Sequence, residues 1–216
     1  MIQEYLEFLK NLKTNNNREW FHANKSQYTQ LQSQYLIWIQ EILDTLTQSD
    51  PALQLLTSKD CVFRINRDIR FTNDKSPYKT KLCGMFSPTI RNGEDCGYYF
   101  EISCDGQLMV GGGRYFLGTK DLLKARQSIS ENSTKFRVVL DNPLFKKTFG
   151  NMSGDKLKTH PRGFDPQDPN IDLLKFKNYI AMTNFDIKKM SDDKIKNIIL
   201  TNLRAVQPLV ECIRNF

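Results

Sequence analysis

Apolar residues in the first fifty positions recur with the period of an α-helix. Ile2, Leu6, Leu9 and Leu12, with Tyr5 and Phe8 beside them, form one stripe that stops at Asn15-Asn16-Asn17, which predicts a short amphipathic helix. A second stripe of Trp20, Asn24, Tyr28, Leu31, Tyr35, Trp38/Ile39, Ile42 and Leu46 predicts one long helix from about Arg18 into the high forties, with Asn17 as its N-cap. Ser49-Asp50-Pro51 ends it, and Pro51 can open a further short helix through Leu56.

Strand character follows at 61–65 and 82–86 and is strongest at 97–103 and 107–110. Cys104-Asp105-Gly106 between the last two runs reads as a hairpin turn, because Asp-Gly supplies the positive φ angles such turns need. Helices are predicted at 120–130, at 133–140 under a Ser133 cap, and at 143–149. A loop rich in Pro, Gly and Asp covers 150–170, followed by a helix at 171–177 and a strand at 179–185. A C-terminal helix from Ser191 to Arg214 opens on Ser191-Asp192-Asp193, a cap with negative charge at the positive end of the dipole. This pattern predicts an α+β fold with a central, largely antiparallel sheet flanked by N-terminal and C-terminal helices. No repeat, low-complexity tract or linker interrupts it, so residues 1–216 are expected to form a single domain.

Composition narrows the class without naming a function. Hydrophobic residues are 39% and charged residues 25% of the chain, which is globular rather than disordered. No run reaches the roughly 18 apolar residues of a membrane span, and Met1-Ile2-Gln3-Glu4-Tyr5 does not open a signal peptide, so a cytoplasmic location and no membrane partner are expected. The five cysteines are widely spaced with no C-x-x-C pair, which points to reduced, mostly buried thiols. The net charge of +7 favours anionic partners. It is unevenly placed: between Lys59 and Lys81 seven basic residues (Lys59, Arg64, Arg67, Arg70, Lys75, Lys79, Lys81) face three acidic ones (Asp60, Asp68, Asp74).

Within that stretch, Arg64-Ile65-Asn66-Arg67-Asp68-Ile69-Arg70-Phe71, followed by Lys75-Ser76-Pro77-Tyr78, fits the pattern R-x-x-R-D-x-R-F then K-x-x-Y. The pattern resembles the signature of a bacterial family catalogued as domain of unknown function 2461. Asn16-Asn17-Arg18-Glu19-Trp20-Phe21 with Asn24-Lys25 and Tyr28 is similar to that family's start. Gly97 to Ser103 with Asp105-Gly106 and Gly111-Gly112-Gly113 is similar to its sheet, and Pro161-Arg162-Gly163-Phe164 to its late loop. Cys104 and Leu117 stand where the family pattern has Pro. The resemblance implies the fold and carries no activity.

Three arginines at three-residue spacing cannot all face one side of a strand, where side chains alternate. The strand is therefore expected to end near Ile65, with Arg67 to Lys81 as a long loop turning at 73–77. Guanidinium forks suit phosphate or carboxylate, Lys75 and Lys79 add point charges, and Tyr78 offers a hydroxyl or a ring face. Arg64, Arg67, Asp68, Arg70, Lys75, Tyr78 and Lys79 are thus the candidate ligand-binding residues, with Asp68 orienting an arginine rather than acting as a base. The alternative is a structural network tying the arginines to helix acids such as Glu19. Gly111-Gly112-Gly113 lacks the ending of a phosphate loop and reads as close backbone packing.

His22 and His160 are far apart and expected to be exposed, no residue set has metal-ligand spacing, and no nucleophile triad or elbow stands out. No catalytic residue, metal or cofactor is assigned. Three functions remain, in order: binding of a small anionic molecule with or without a reaction, nucleic-acid binding through the same basic loop, and a structural or partner-binding module.

Overall fold

The computed structural model describes residues 1–88 and 96–214. Strands β1 (Lys81–Phe86), β2 (Cys96–Ser103), β3 (Gln107–Arg114) and β4 (Tyr179–Asp186) pair in sequence order as an antiparallel sheet. Helices α1 (Ile2–Thr14), α2 (Arg18–Ala23) and α3 (Lys25–Thr47) precede it, and a 3-10 turn at Pro51–Leu53 follows α3. Between β3 and β4 come α4 (Thr119–Glu131), α5 (Thr134–Asp141), α6 (Pro143–Phe149) and α7 (Ile171–Leu174), and α8 (Asp192–Arg214) follows β4. The fold is α+β.

Where elements differ from their predicted form, local hydrogen bonding explains the change. The long helix expected from Arg18 is two helices, because Asn24 leaves helical geometry (φ −105°, ψ 12°) while its side-chain amide donates to the Trp20 carbonyl at 2.8 Å. Asn17 does cap α2, accepting the Trp20 N–H at 2.9 Å. The strand expected at 61–65 is reduced to one isolated bridge, Val62 with Gly84, and a second bridge, Asn66 with Tyr78, lies just beyond it. Pro77 has no N–H to extend the second bridge into a ladder. In the hairpin, only Gly106 takes a positive φ (77°) and its N–H donates to the Ser103 carbonyl at 2.9 Å. The hairpin is the three-residue loop expected at 104–106, closed by a left-handed glycine, with Asp105 not taking the positive φ expected of the Asp-Gly pair. The Ser133 side chain does not cap α5; Asn132 accepts the Thr134 N–H at 3.1 Å instead. Helix α7 ends early because the chain beyond it bonds to the preceding loop, with Lys177 N–H on the Asp155 carbonyl at 2.7 Å.

Among the described residues the chain divides into two compact units, one of 1–86, 100–109 and 184–200, the other of 87–99, 110–183 and 201–216. In the first, α1 buries Ile2, Tyr5, Leu6, Phe8, Leu9 and Leu12, and α3 buries Leu31, Tyr35, Trp38, Ile39, Ile42, Leu43 and Leu46. The rings of Tyr5 and Tyr35 meet edge to face at 5.9 Å. Of the four aromatics in the predicted second stripe, Tyr35 and Trp38 are buried, whereas Trp20 and Tyr28 are half-buried. Phe100 lies on Gly84, where a β-carbon would come within 2.3 Å of the ring, so the glycine makes room for the aromatic.

In the second unit, Phe136 and Phe176 pack on Tyr179 at 5.7 and 6.0 Å. The triple glycine lies inside β3, and a β-carbon on Gly111 would sit 1.9 Å from the Ala181 carbonyl oxygen. Its role is close backbone packing. No helix among the described residues is long and apolar enough to cross a membrane.

Candidate functional site

The basic segment is a loop closed at its base by backbone pairing. Arg67 N–H donates to the Pro77 carbonyl at 2.9 Å and Lys79 N–H to the Ile65 carbonyl at 2.8 Å, on either side of the Asn66–Tyr78 bridge. The side-chain amide of Asn16, just beyond α1, grips the outer edge of Tyr78. It accepts the Tyr78 N–H at 3.1 Å and donates to the Tyr78 carbonyl at 3.0 Å, as a neighbouring strand would. The Tyr78 ring, 5% exposed, stacks on Phe21 of α2 at 4.1 Å and 22°. Two helices thus anchor one end of the loop.

Inside the loop, each acid organises its own arm. Asp74 accepts from the Arg67 guanidinium and from the Ser76 N–H at 2.9 Å, while Arg67 also donates to the Ser76 carbonyl at 3.2 Å. Asp68 accepts Arg70 Nε at 3.0 Å, Arg70 Nη2 at 2.7 Å and the Arg70 N–H at 3.2 Å. The Arg70 bond holds the Asp68 carboxyl down at about 2, and bonds from Ser76, with Arg67 behind them, hold Asp74 at about 2.

Beside the loop opens a cleft of about 330 Å3. Arg67, Lys79 and Lys81 line it from the loop and β1, and Lys13 from the end of α1; among the described residues Asp74 is the one acid on its wall. Asn16, Ser76, Tyr78 and Thr80 complete the lining. Lys13 donates to Asp105 at 3.1 Å and Lys81 to Glu101, while Lys79 Nζ donates to the Arg64 carbonyl at 2.9 Å. Burial, with the charges of Arg64 and Lys81 adding to it, lowers the Lys79 ammonium below the ordinary lysine range. A second cavity of about 20 Å3, room for about one water, is lined in part by Tyr5, Gln32, Tyr35, Arg64, Lys79 and Lys81.

A family model described as conserved hypothetical protein (DUF2461) matches residues 4–211, nearly the whole chain. The chain belongs to the DUF2461 family. No curated protein and no solved structure matches it.

In this DUF2461 member the sequence-derived candidates separate into groups. Arg67, Tyr78 and Lys79 share the cleft; Arg64 lines the small cavity; Arg70 and Asp68 form their own exposed pair; and Lys75 donates to the Ile69 carbonyl at 2.9 Å. Asp68 does orient an arginine, and that arginine is Arg70. Glu19 makes no ion pair among the described residues, so the loop is organised by its own acids rather than by helix acids. Lys13, Asn16 and Lys81 join the cleft from outside the seven candidates, Lys81 as the last residue of the basic stretch. Asn16 carries a sequence signal, since it begins the Asn16-Asn17-Arg18-Glu19-Trp20-Phe21 match; Lys13 carries none.

Other chemistry is not assembled in the DUF2461 fold described here. His22 and His160 are exposed, and no cluster of three His, Cys, Asp or Glu side chains suited to a metal occurs among the described residues. The thiols of Cys61, Cys104 and Cys212 are raised by burial, Cys61 to about 12, which keeps them protonated and weakly nucleophilic.

Proposed function

We propose that the cleft beside β1 binds a small anionic molecule bearing phosphate or carboxylate, held by Arg67, Lys79, Lys81 and Lys13. The observation that carries this reading is four cationic side chains lining a cleft of about 330 Å3 with one carboxylate among the described lining residues, even with Asp105 and Glu101 paired to Lys13 and Lys81. That volume falls at the lower end of small-ligand sites, which start near roughly 300 Å3.

The hydrogen-bond inventory leaves capacity for a ligand. Lys13 and Lys81 each engage one carboxylate and retain further N–H groups, and Arg67 spends one terminal nitrogen on Asp74 and Ser76. An incoming oxyanion displaces Asp74 from Arg67 without stranding it, because Asp74 keeps the Ser76 N–H. Lys79 gains most: its partly desolvated ammonium recovers from the anion the solvation that burial removes. Arg64, Asp68, Arg70 and Lys75 then set the shape and charge of the loop that frames the cleft. The assigned function is binding, and no residue is given a chemical step.

Titration calorimetry with inorganic phosphate and pyrophosphate tests this. Wild-type protein should release heat on binding, and Arg67→Ala and Lys79→Met should each weaken it about tenfold, the effect of one charge-assisted contact, with the melting temperature moved by only a few degrees. No binding to wild type at about 10 mM ligand, weaker than any physiological anion site, refutes the reading.

A further inference from the structure

We infer that the tip of the same loop is a second site, a stacking platform for single-stranded nucleic acid, in which the Phe71 ring takes a base and Arg64, Arg70 and Lys75 meet phosphates. It stands apart from the cleft, since neither Phe71 nor Arg70 lines that cleft.

Phe71 is 92% exposed, more than any other large hydrophobic side chain among the described residues. It is also held in place. Asp68 grips Arg70 through both Nε and Nη2, and the Arg70 guanidinium lies 5.4 Å from the centre of the Phe71 ring, within cation–π range. Lys75 ties the tip to the Ile69 carbonyl at 2.9 Å, and Thr72 Oγ1 donates to the Asp74 carbonyl at 2.6 Å. These contacts order the residues on either side of Phe71, and Arg70 alone approaches the ring, so the ring stands in water on an ordered tip, a form suited to an incoming ligand. The pairing recurs nearby: Phe63, 45% exposed, has the Lys79 ammonium 5.3 Å from its ring centre, and the adjacent Arg64 exposes a guanidinium with no hydrogen-bond partner among the described residues.

Exposed rings alternating with cations match a strand of unpaired bases, whose π-faces stack on aromatics while its phosphates meet Arg and Lys. A duplex hides those faces. An anionic membrane would meet the cations, but inserting the Phe71 ring would carry the Arg70 guanidinium beside it, and the Asp68 paired with that guanidinium, toward the apolar layer at a desolvation cost.

The test is fluorescence anisotropy with labelled oligo(dT) of about fifteen nucleotides, a span one small domain can cover. It is run beside a mixed-sequence duplex and phosphatidylserine vesicles. Wild type should bind the single strand most tightly at low salt, and Phe71→Ala should weaken it roughly five- to a hundredfold, the range for losing one base–aromatic stack. Phe71→Tyr, which keeps the ring, should restore binding, while phosphate affinity in the cleft stays unchanged in both variants. Equal oligo(dT) affinity in wild type and Phe71→Ala overturns the inference, as does a preference for duplex or for vesicles. Because inorganic phosphate is measured separately on Arg67→Ala, failure of the cleft leaves this result interpretable on its own.

Discussion

Asp68 and Asp74 show how much a single carboxylate settles. Both are exposed, and both sit at about 2, Asp68 chiefly through the Arg70 side chain and Asp74 chiefly through Ser76. Their unfolded value is about 3.9, so the folded pKa is depressed. Whatever they contribute is fully present above about pH 4 and is lost as pH falls through about 2. The Arg70 and Ser76 amide protons, which donate to these carboxylates, should therefore titrate by NMR with midpoints near about 2. Midpoints near about 4, the unperturbed value, would show that the bonds do not persist in solution. At this scale the sequence was informative about type and less so about partner. That Asp68 orients an arginine followed from its place among cations, whereas the choice of Arg70 depends on a backbone turn that also brings the Arg70 N–H onto the same carboxylate.

Among elements, the contact that decides where the loop begins is made by a side chain behaving as a strand. Asn16 satisfies both the N–H and the carbonyl of Tyr78 in a partly buried position. Asn16→Ala leaves both unpaired, and urea denaturation should show a loss of about 1–3 kcal/mol, the cost of stranding buried backbone polar groups. Asn16→Asp keeps only the acceptor and should lose less if the Tyr78 N–H is the more demanding group. A loss within about 0.5 kcal/mol for Asn16→Ala would mean that water replaces the clamp at no cost.

The elements read least well from sequence were those where polar side chains or proline override a hydrophobic stripe. The stripe from Trp20 to Leu46 is continuous, yet Asn24 breaks the helix through its bond to Trp20. Residues 61–65 have strand composition, yet only Val62 forms a bridge, to Gly84, and Pro77 keeps the next bridge, Asn66 with Tyr78, from growing into a ladder. Strands β2 and β3 were clear because their alternation and the Asp105-Gly106 turn agree. β3 ran on past Val110 because glycines that look like a terminus are there to admit the Ala181 backbone.

For the molecule as a whole, the net charge of +7 favours an anionic partner, and the basic excess between Lys59 and Lys81 points to that segment as its place. The cleft depends on Lys81, which closes the basic stretch and enters with β1, and on Lys13, which reaches it from α1 and differs in sequence from no other surface lysine. Only the fold brings Lys13 beside Arg67 and Lys79. Because these cations are partly exposed, salt should compete with the ligand. Raising ionic strength from about 0.1 M to about 1 M shortens the Debye length from about 10 Å to about 3 Å, so phosphate affinity should fall several-fold. Affinity unchanged across that range would mean that binding does not depend on this charge cluster.

The most direct measurement is to locate the anion. A crystal soaked in selenate, whose anomalous scattering marks its position, should show a peak in the cleft within about 3 Å of donors on Arg67, Lys79 and Lys81, ordinary charge-assisted hydrogen-bond distance. That peak should vanish in a crystal of Arg67→Ala soaked in the same way. Selenate bound only elsewhere, or a cleft that stays closed by the Arg67–Asp74 pair at saturating anion, would contradict the assignment.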